Sequence, residues 1–446
     1  MIETSLEHIG FTTRLLYTLF GAIGIFIILI RNNVLVSVNS HLALIKFLIV
    51  VSMSHAIFAF IGWSSLYKYF FSGLLLVVFI LNIDIKKSHA SIIWIFLLLT
   101  GLYFSSYVII GADLADTITI YVTLATPLLL FLILTKTRQT VILLKPLVKD
   151  LIVFQIIMSV VKLALIGINE ALVGTIGYTN GSVAAIFPLL ALIFLWQAGY
   201  FKNNQNFIIW IIFLSLVTIA SNKRAYWFIM PVVVFYIYYY KDQKIKIRFI
   251  SVLKYLPLVL FILYVGLRLT ATLNPERKFG GYFDRIDAVN YADDYTFAEE
   301  QTAKTGIAHG RGAGVLLTIK DIINNFSQKN TLWGNGVDLL HAKSRSEQEF
   351  LKEYGFLSKG TMTGFTKIHL TLGLLGVLSY LLYMIGIVRF TKKFSEKHVY
   401  RLLLVLVLFE FFFYKGVIFD HWGLTAMLIY IVTFEYNKKF IVNYIK

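Results

Sequence analysis

The sequence predicts an all-α polytopic membrane protein with about 12–14 transmembrane helices and one long extracytoplasmic loop containing short helices. Hydrophobic residues occupy 58% of the 446 positions, whereas soluble domains contain about 45–50%. The mean hydropathy is +0.76. Runs of about twenty apolar residues follow one another along the chain, and a helix of that length crosses about 30 Å of hydrocarbon.

The apolar runs predict about thirteen spanning helices. They lie near residues 11–30, 42–62, 68–84, 90–111, 117–135, 150–167, 182–201, 206–221, 225–240, 249–269, 368–390, 400–416 and 421–437. The first run is flanked by Glu3 and Glu7 rather than by basic residues, so we expect a span and not a cleaved signal peptide. A polar stretch separates the last three runs from the others. The predicted parts are an N-terminal transmembrane bundle at 1–270, a periplasmic loop subdomain at 271–366, and C-terminal transmembrane helices at 367–446.

The formal net charge of +17 comes from Lys and Arg that gather in the short breaks between apolar runs. Basic residues resist translocation, so alternate breaks rich in Lys and Arg are expected on the cytoplasmic side, together with the C-terminus. The long loop then faces outward. No nucleic-acid partner is needed to explain the charge. One outward break departs from this pattern, because it contains the basic pair Lys223 and Arg224. Two interpretations are open: the pair reaches lipid headgroups, or it holds an anion.

Several kinds of chemistry lose support. The chain has no cysteine, which excludes disulfides, a thiol nucleophile and a Cys-ligated metal. Walker, His-Glu-x-x-His and Gly-x-Ser-x-Gly motifs are absent from the sequence. Asp293 and Asp294 are adjacent but are more simply read as a solvated turn. We therefore predict no cofactor and no metal.

The outward segments instead carry cations and histidines. Arginine binds phosphate well because its planar guanidinium makes two charge-assisted hydrogen bonds at once. Most such residues in any exposed loop are only solvated, but Arg224 and Arg311 stand out by their positions. The set comprises Lys223, Arg224, Arg285, His309, Arg311, His341, Lys343, Arg345, Lys367 and His369.

Within the polar stretch, residues 313–326 have apolar side chains at helical spacing, which predicts a helix on the membrane surface or packed against the bundle. The run Leu332-Trp333-Gly334-Asn335-Gly336 predicts a tight turn. Residues 343–353 predict a second, exposed helix.

Three local patterns in this order resemble the O-antigen polymerase and O-antigen ligase superfamily of the Wzy type. The first is Thr218-Ile-Ala-Ser-Asn-Lys-Arg-Ala225 at the start of a span. The second is Arg311 followed by an amphipathic helix and the Gly334-Asn335-Gly336 turn. The third is Gly373-Leu-Leu-Gly376 in the span after the loop. The likeness covers roughly the second half of the chain.

The resemblance implies polymerisation of undecaprenyl-pyrophosphate-linked oligosaccharide repeats at the outer face of a bacterial inner membrane. By this analogy Arg224 and Arg311 bind the pyrophosphate with Lys223 and Lys367, and His369 is the catalytic base. Membrane lipid, a chain-length regulator and a flippase are the implied partners.

Family ligases carry a His where this chain has Met362-Thr363, which favours a polymerase and leaves the base open. The alternatives are the ligase that transfers polymer to lipid A core, a non-enzymatic polysaccharide flippase or transporter, and a sugar acyltransferase.

Overall fold

The computed structural model describes residues 9–34, 40–82, 89–110, 114–136, 143–167, 173–177, 181–201, 203–221, 223, 225–240, 310–335, 362–394, 397–414 and 416–444, with single positions between 257 and 265. Within these ranges the chain is helical and contains no strand. Sixteen helices are described: α1 (Phe11–Arg31), α2 (Ser40–Ser52), α3 (His55–Phe60), α4 (Ser64–Asn82), α5 (Ala90–Ile110), α6 (Leu114–Lys136), α7 (Lys145–Ile166), α8 (Gly181–Gln197), α9 (Asn204–Ala220), α10 (Ala225–Tyr240), α11 (Arg311–Asn324), α12 (Lys329–Trp333), α13 (Gly364–Phe394), α14 (Lys397–Phe413), α15 (Val417–Asp420) and α16 (Trp422–Tyr444).

Three of the described helices are long and apolar enough to cross a membrane: α1, α4 and residues Gly364–Phe390 of α13. The apolar window is 22% buried in α1 and in α4 but 61% buried in α13. Helices α1 and α4 therefore lie at the periphery with apolar side chains outward, while α13 packs inside. The described residues also include shorter apolar helices, α8 and α16 among them.

The interior is built around α8 and α16. Nearly every side chain from Val183 to Leu195 is fully buried, and so are those from Leu424 to Val432. The two helices pack against each other, and α8 also contacts α9 and α10. A helix that is apolar on all sides belongs in a core, so the absence of a hydrophobic face in α8 follows from its position.

Two apolar runs that predict continuous helices are interrupted. The predicted span at 42–62 consists of α2 and α3, separated at Met53 and Ser54. Helix α13 changes direction at Gly373, whose φ of 65° and ψ of −167° are not helical. Each interruption exposes backbone groups that need partners from elsewhere in the protein.

The first interruption is satisfied by a buried polar junction with the segment at 173–177. The amide side chain of Gln155 accepts from the backbone N–H of Thr175 (2.6 Å) and of Ile176 (3.2 Å). The Thr175 hydroxyl donates to the Met53 carbonyl at 2.7 Å. Tyr17 donates to the Gly174 carbonyl at 2.7 Å. The junction thereby ties α1, α2 and α7 together.

The described helices agree in type with the predicted runs, and most begin or end within a few residues of them. The predicted span at 249–269, the predicted helix at 343–353 and most of the predicted loop subdomain at 271–366 lie outside the described residues.

Candidate functional site

The first turn of α13 is anchored at both of its sides. The Thr363 hydroxyl accepts a hydrogen bond from the Thr366 N–H at 3.3 Å and lies 2.9 Å from the Thr366 hydroxyl. Thr363 is therefore the N-cap of α13. The Gly364 N–H donates to the Tyr414 carbonyl at 2.8 Å. Gly364 also lies against Gly416, and a Cβ on Gly364 would be only 3.0 Å from the Gly416 Cα. The start of α13 is thus fixed to the end of α14.

Two of the sequence patterns meet directly. Gly334 at the end of α12 has φ +80°, and Gly373 in α13 has φ +65°. A Cβ on Gly334 would collide with the backbone of Thr371 and Leu372, and a Cβ on Gly373 with the backbone of Leu332 and Trp333. The two glycines therefore allow the α12 turn and the α13 break to touch backbone to backbone.

This contact is closed by hydrogen bonds. The Asn335 backbone N–H donates to the Leu370 carbonyl at 2.8 Å, and its side-chain amide donates to the same oxygen at 3.2 Å. Leu370 lies one turn before the break, where its carbonyl loses the regular helical partner. The α12 turn replaces that partner and so stabilises the interrupted helix.

His369 lies in the segment of α13 before the break and faces α11. Its Nε2 is 4.0 Å from Asp321 Oδ2, and only 4% of its side chain is exposed, compared with 32% for Asp321. The other oxygen of Asp321 accepts from the Asn325 side chain at 2.7 Å. His369 Nδ1 is buried and has no hydrogen-bond partner among the described residues. An imidazole with a carboxylate near one nitrogen can take a proton on the other.

Arg311, the first residue of α11, packs on an aromatic ring. Its Cζ lies 4.4 Å from the centre of the Tyr414 ring, a cation–π contact. The Tyr414 hydroxyl is hydrogen-bonded to Ser182 in the first turn of α8. Because the Tyr414 carbonyl also holds Gly364, one residue positions both Arg311 and the start of α13.

The other predicted site residues are placed as follows. Lys367 is partly buried in the first turn of α13, two residues before His369. Lys223 is partly buried just after α9, and its N–H donates to the Thr218 carbonyl at 3.2 Å. The Thr218 hydroxyl donates to the Ala184 carbonyl of α8 at 3.3 Å, so this helix end packs close to Ser182. Arg224, Arg285, His309, His341, Lys343 and Arg345 lie outside the described residues.

The structure thus brings Arg311, Lys367 and His369 to one end of the bundle, around α11 and the first segment of α13. Sequence reasoning missed Asp321 and Tyr414. Asp321 is the only acidic residue between positions 310 and 335, and it lies at helical spacing from Arg311. The sequence alone could therefore have pointed to Asp321. Tyr414, one of 26 tyrosines in a largely apolar chain, carries no such signal.

Among the described residues, no group of three or more His, Asp or Glu is arranged to hold a metal ion. No protein-family model, no curated protein and no solved structure matches the chain. Two of the three local sequence patterns are in contact at Gly334 and Gly373.

Proposed function

We propose that this chain is a multi-pass protein of the bacterial inner membrane that polymerises undecaprenyl-pyrophosphate-linked oligosaccharide repeats at the outer face. The observation that carries the proposal is the pairing of α11 with the first segment of α13. In this pairing Arg311 begins α11, Asp321 of the same helix lies 4.0 Å from the buried His369, and Lys367 is two residues before His369, which supports a shared site. About thirteen spans, with residues 271–366 outward, form the proposed topology.

In the proposed reaction a sugar hydroxyl of one lipid-linked repeat attacks the anomeric carbon of a glycan on a second lipid carrier. A new glycosidic C–O bond forms, and the bond from the anomeric carbon to the pyrophosphate oxygen breaks. Undecaprenyl pyrophosphate leaves with the electron pair. The acceptor proton passes to His369 Nδ1, the buried nitrogen that faces away from Asp321.

The cations have a separate role. Negative charge develops on the departing pyrophosphate, and fixed donors aimed at that charge lower the barrier most. Arg311 supplies a planar guanidinium held by Tyr414, and Lys367 lies on the facing segment. Lys223 and Arg224 are proposed to complete the pyrophosphate site from the end of α9. No step in this scheme requires a cofactor.

A second candidate, a non-enzymatic flippase or transporter, is favoured by the two interrupted helices. Discontinuous helices with unwound backbone near their centres are common in secondary transporters. In this chain the backbone carbonyls at the two breaks accept hydrogen bonds from protein side chains. Thr175 donates to the Met53 carbonyl, and Asn335 donates to the Leu370 carbonyl next to the break at Gly373. That arrangement suits fixed structural joints at least as well as an ion site, so the polymerase is preferred.

The test is glycan analysis of a deletion strain complemented with the wild type, Arg311→Ala, Arg224→Ala or Lys320→Ala, with protein levels checked. Lys320 is the matched control, because it is an exposed cation on the same helix. The proposal expects a single repeat on the core in the deletion strain and with each Arg variant, and long chains with the control.

Other outcomes identify other functions. Bare core with polymer accumulating on the lipid carrier indicates the ligase. Lipid-linked repeats that never reach the outer face indicate a flippase. Long chains with Arg311→Ala at normal protein level remove the proposed site.

A further inference from the structure

Helix α11 has an unusual distribution of side chains. Three of its polar residues lie toward the bundle: Arg311 packs on Tyr414, Thr318 is buried, and Asp321 Oδ2 is 4.0 Å from His369 Nε2. One set of its apolar residues turns outward, while Val315 and Ile322 pack partly buried against the core. The exposed fractions are 55% for Leu316, 40% for Ile319 and 70% for Ile323, and Phe326 just beyond the helix is 56% exposed.

Leu316, Ile319 and Ile323 follow one another by three and four positions, so they form one stripe on the helix, and the exposed Phe326 follows in the turn at its end. A surface helix of a water-soluble protein has the opposite arrangement, with its apolar face against the core. Lys320 and Asn324 are also exposed but lie to one side of the stripe. Helix α11 therefore has a bundle face, an apolar outer face and a narrow polar outer face.

A second observation concerns the position of α11 along the axis of α13. The α12 turn that follows α11 donates to the Leu370 carbonyl. Leu370 lies six residues inside the apolar segment Gly364–Phe390, or about 9 Å along the helix axis at ~1.5 Å per residue. Helix α11 also packs on α13 and α14. The α11–α12 pair thus lies beside the first turns of a candidate membrane span, not beyond its end.

We propose that Leu316, Ile319, Ile323 and Phe326 contact the acyl chains of one membrane leaflet, the outer leaflet in the predicted orientation. Irregular backbone at membrane depth must be covered by protein, and here the turn at 334–335 is covered by α13. Helix α11 is then a lipid-embedded helix and not part of an aqueous loop. This inference does not depend on the polymerase reaction.

The absence of cysteine from the sequence provides a clean test by spin labelling. Ile319→Cys and Ile323→Cys each receive a nitroxide in the full-length protein, reconstituted in vesicles of phosphatidylcholine and phosphatidylglycerol. Asn324→Cys is the matched control, because it is an exposed neighbour on the polar outer face. Thr318→Cys reports the bundle face. Collision rates with oxygen, which concentrates in lipid, are compared with those of a water-soluble nickel chelate.

Labels at 319 and 323 are expected to collide several-fold more with oxygen than with the chelate, and the label at 324 is expected to show the reverse preference. If the stripe positions are as accessible to the chelate as position 324, the stripe faces water and the proposal is wrong. Shielding of the stripe from both reagents overturns it equally, because another protein surface then covers the helix.

Discussion

At the scale of single residues, the contact between His369 and Asp321 is the feature that supports the proposed base. The imidazole is almost fully buried, and its Nε2 is 4.0 Å from a carboxylate oxygen on another helix. Asn325 holds that carboxylate through a 2.7 Å hydrogen bond. At 4.0 Å the two groups are beyond hydrogen-bond distance, so the carboxylate acts on the imidazole through its charge. We propose that Asp321 stabilises the positive charge that the imidazole gains in the proposed reaction.

Asp321→Asn is expected to lower kcat for repeat polymerisation by about tenfold or more, because it keeps the shape but removes the charge; general-base catalysis as a whole contributes roughly 10²–10⁴-fold. KM should change little, since Asp321 is not proposed to bind substrate. Asp321→Glu should restore part of the rate. Steady-state kinetics with Lys320→Gln as the control check this. Equal rates for Asp321→Asn and wild type would leave His369 without its proposed partner.

At the scale of elements, the contact between α12 and α13 depends on two glycines. Gly334→Ala and Gly373→Ala each force a Cβ into neighbouring backbone at a positive φ, and backbone strain alone costs about 1–3 kcal/mol. Both variants should lower the unfolding temperature in detergent. Gly101→Ala in α5 is the control, because nothing lies within 4 Å of its added Cβ. A glycine variant as stable as Gly101→Ala would show that the two elements do not touch.

The polar junction around Gln155 is the second element-scale feature that can be measured. Gln155→Ala removes the acceptor of the Thr175 and Ile176 N–H groups, and leaving buried donors unpaired costs about 1–3 kcal/mol each. Ile157→Ala on the same helix removes a side chain that is 54% exposed. It should change the free energy of unfolding by only about 0.5 kcal/mol. Denaturant titration in micelles compares the two, and similar losses would contradict the buried junction.

Much of the helical architecture is predictable because twenty apolar residues in a row have few other stable arrangements. The helix interruptions are not predictable, since Met53 and Ser54 lie in an apolar run and a single glycine such as Gly373 is tolerated within many helices.

The candidate site is also predictable only in part. His369 and Arg311 are visible as isolated polar residues at the edges of apolar runs. Their partners Asp321 and Tyr414 become relevant only through tertiary contacts.

At the scale of the whole molecule, the proposed site lies where several parts of the chain converge. The start of α13, the end of α14 and the first turn of α8 meet at Tyr414. Helix α8 is fully buried along most of its length, so the proposed site rests on the buried core. A lipid-linked substrate would meet cations at this end of the bundle and lipid beside α11. The arrangement suits a reaction in which both substrates stay in the membrane.

The most direct test of the account is reconstitution of the purified chain in vesicles with a lipid-linked repeat as the only substrate. The account predicts a ladder of longer lipid-linked glycans and one undecaprenyl pyrophosphate released for each new linkage. Arg311→Ala and His369→Ala should lose the ladder, while Lys320→Ala should retain it. A chain that leaves the repeat unextended under conditions that preserve its fold would contradict the polymerase proposal. A ladder that persists in both site variants would contradict the site.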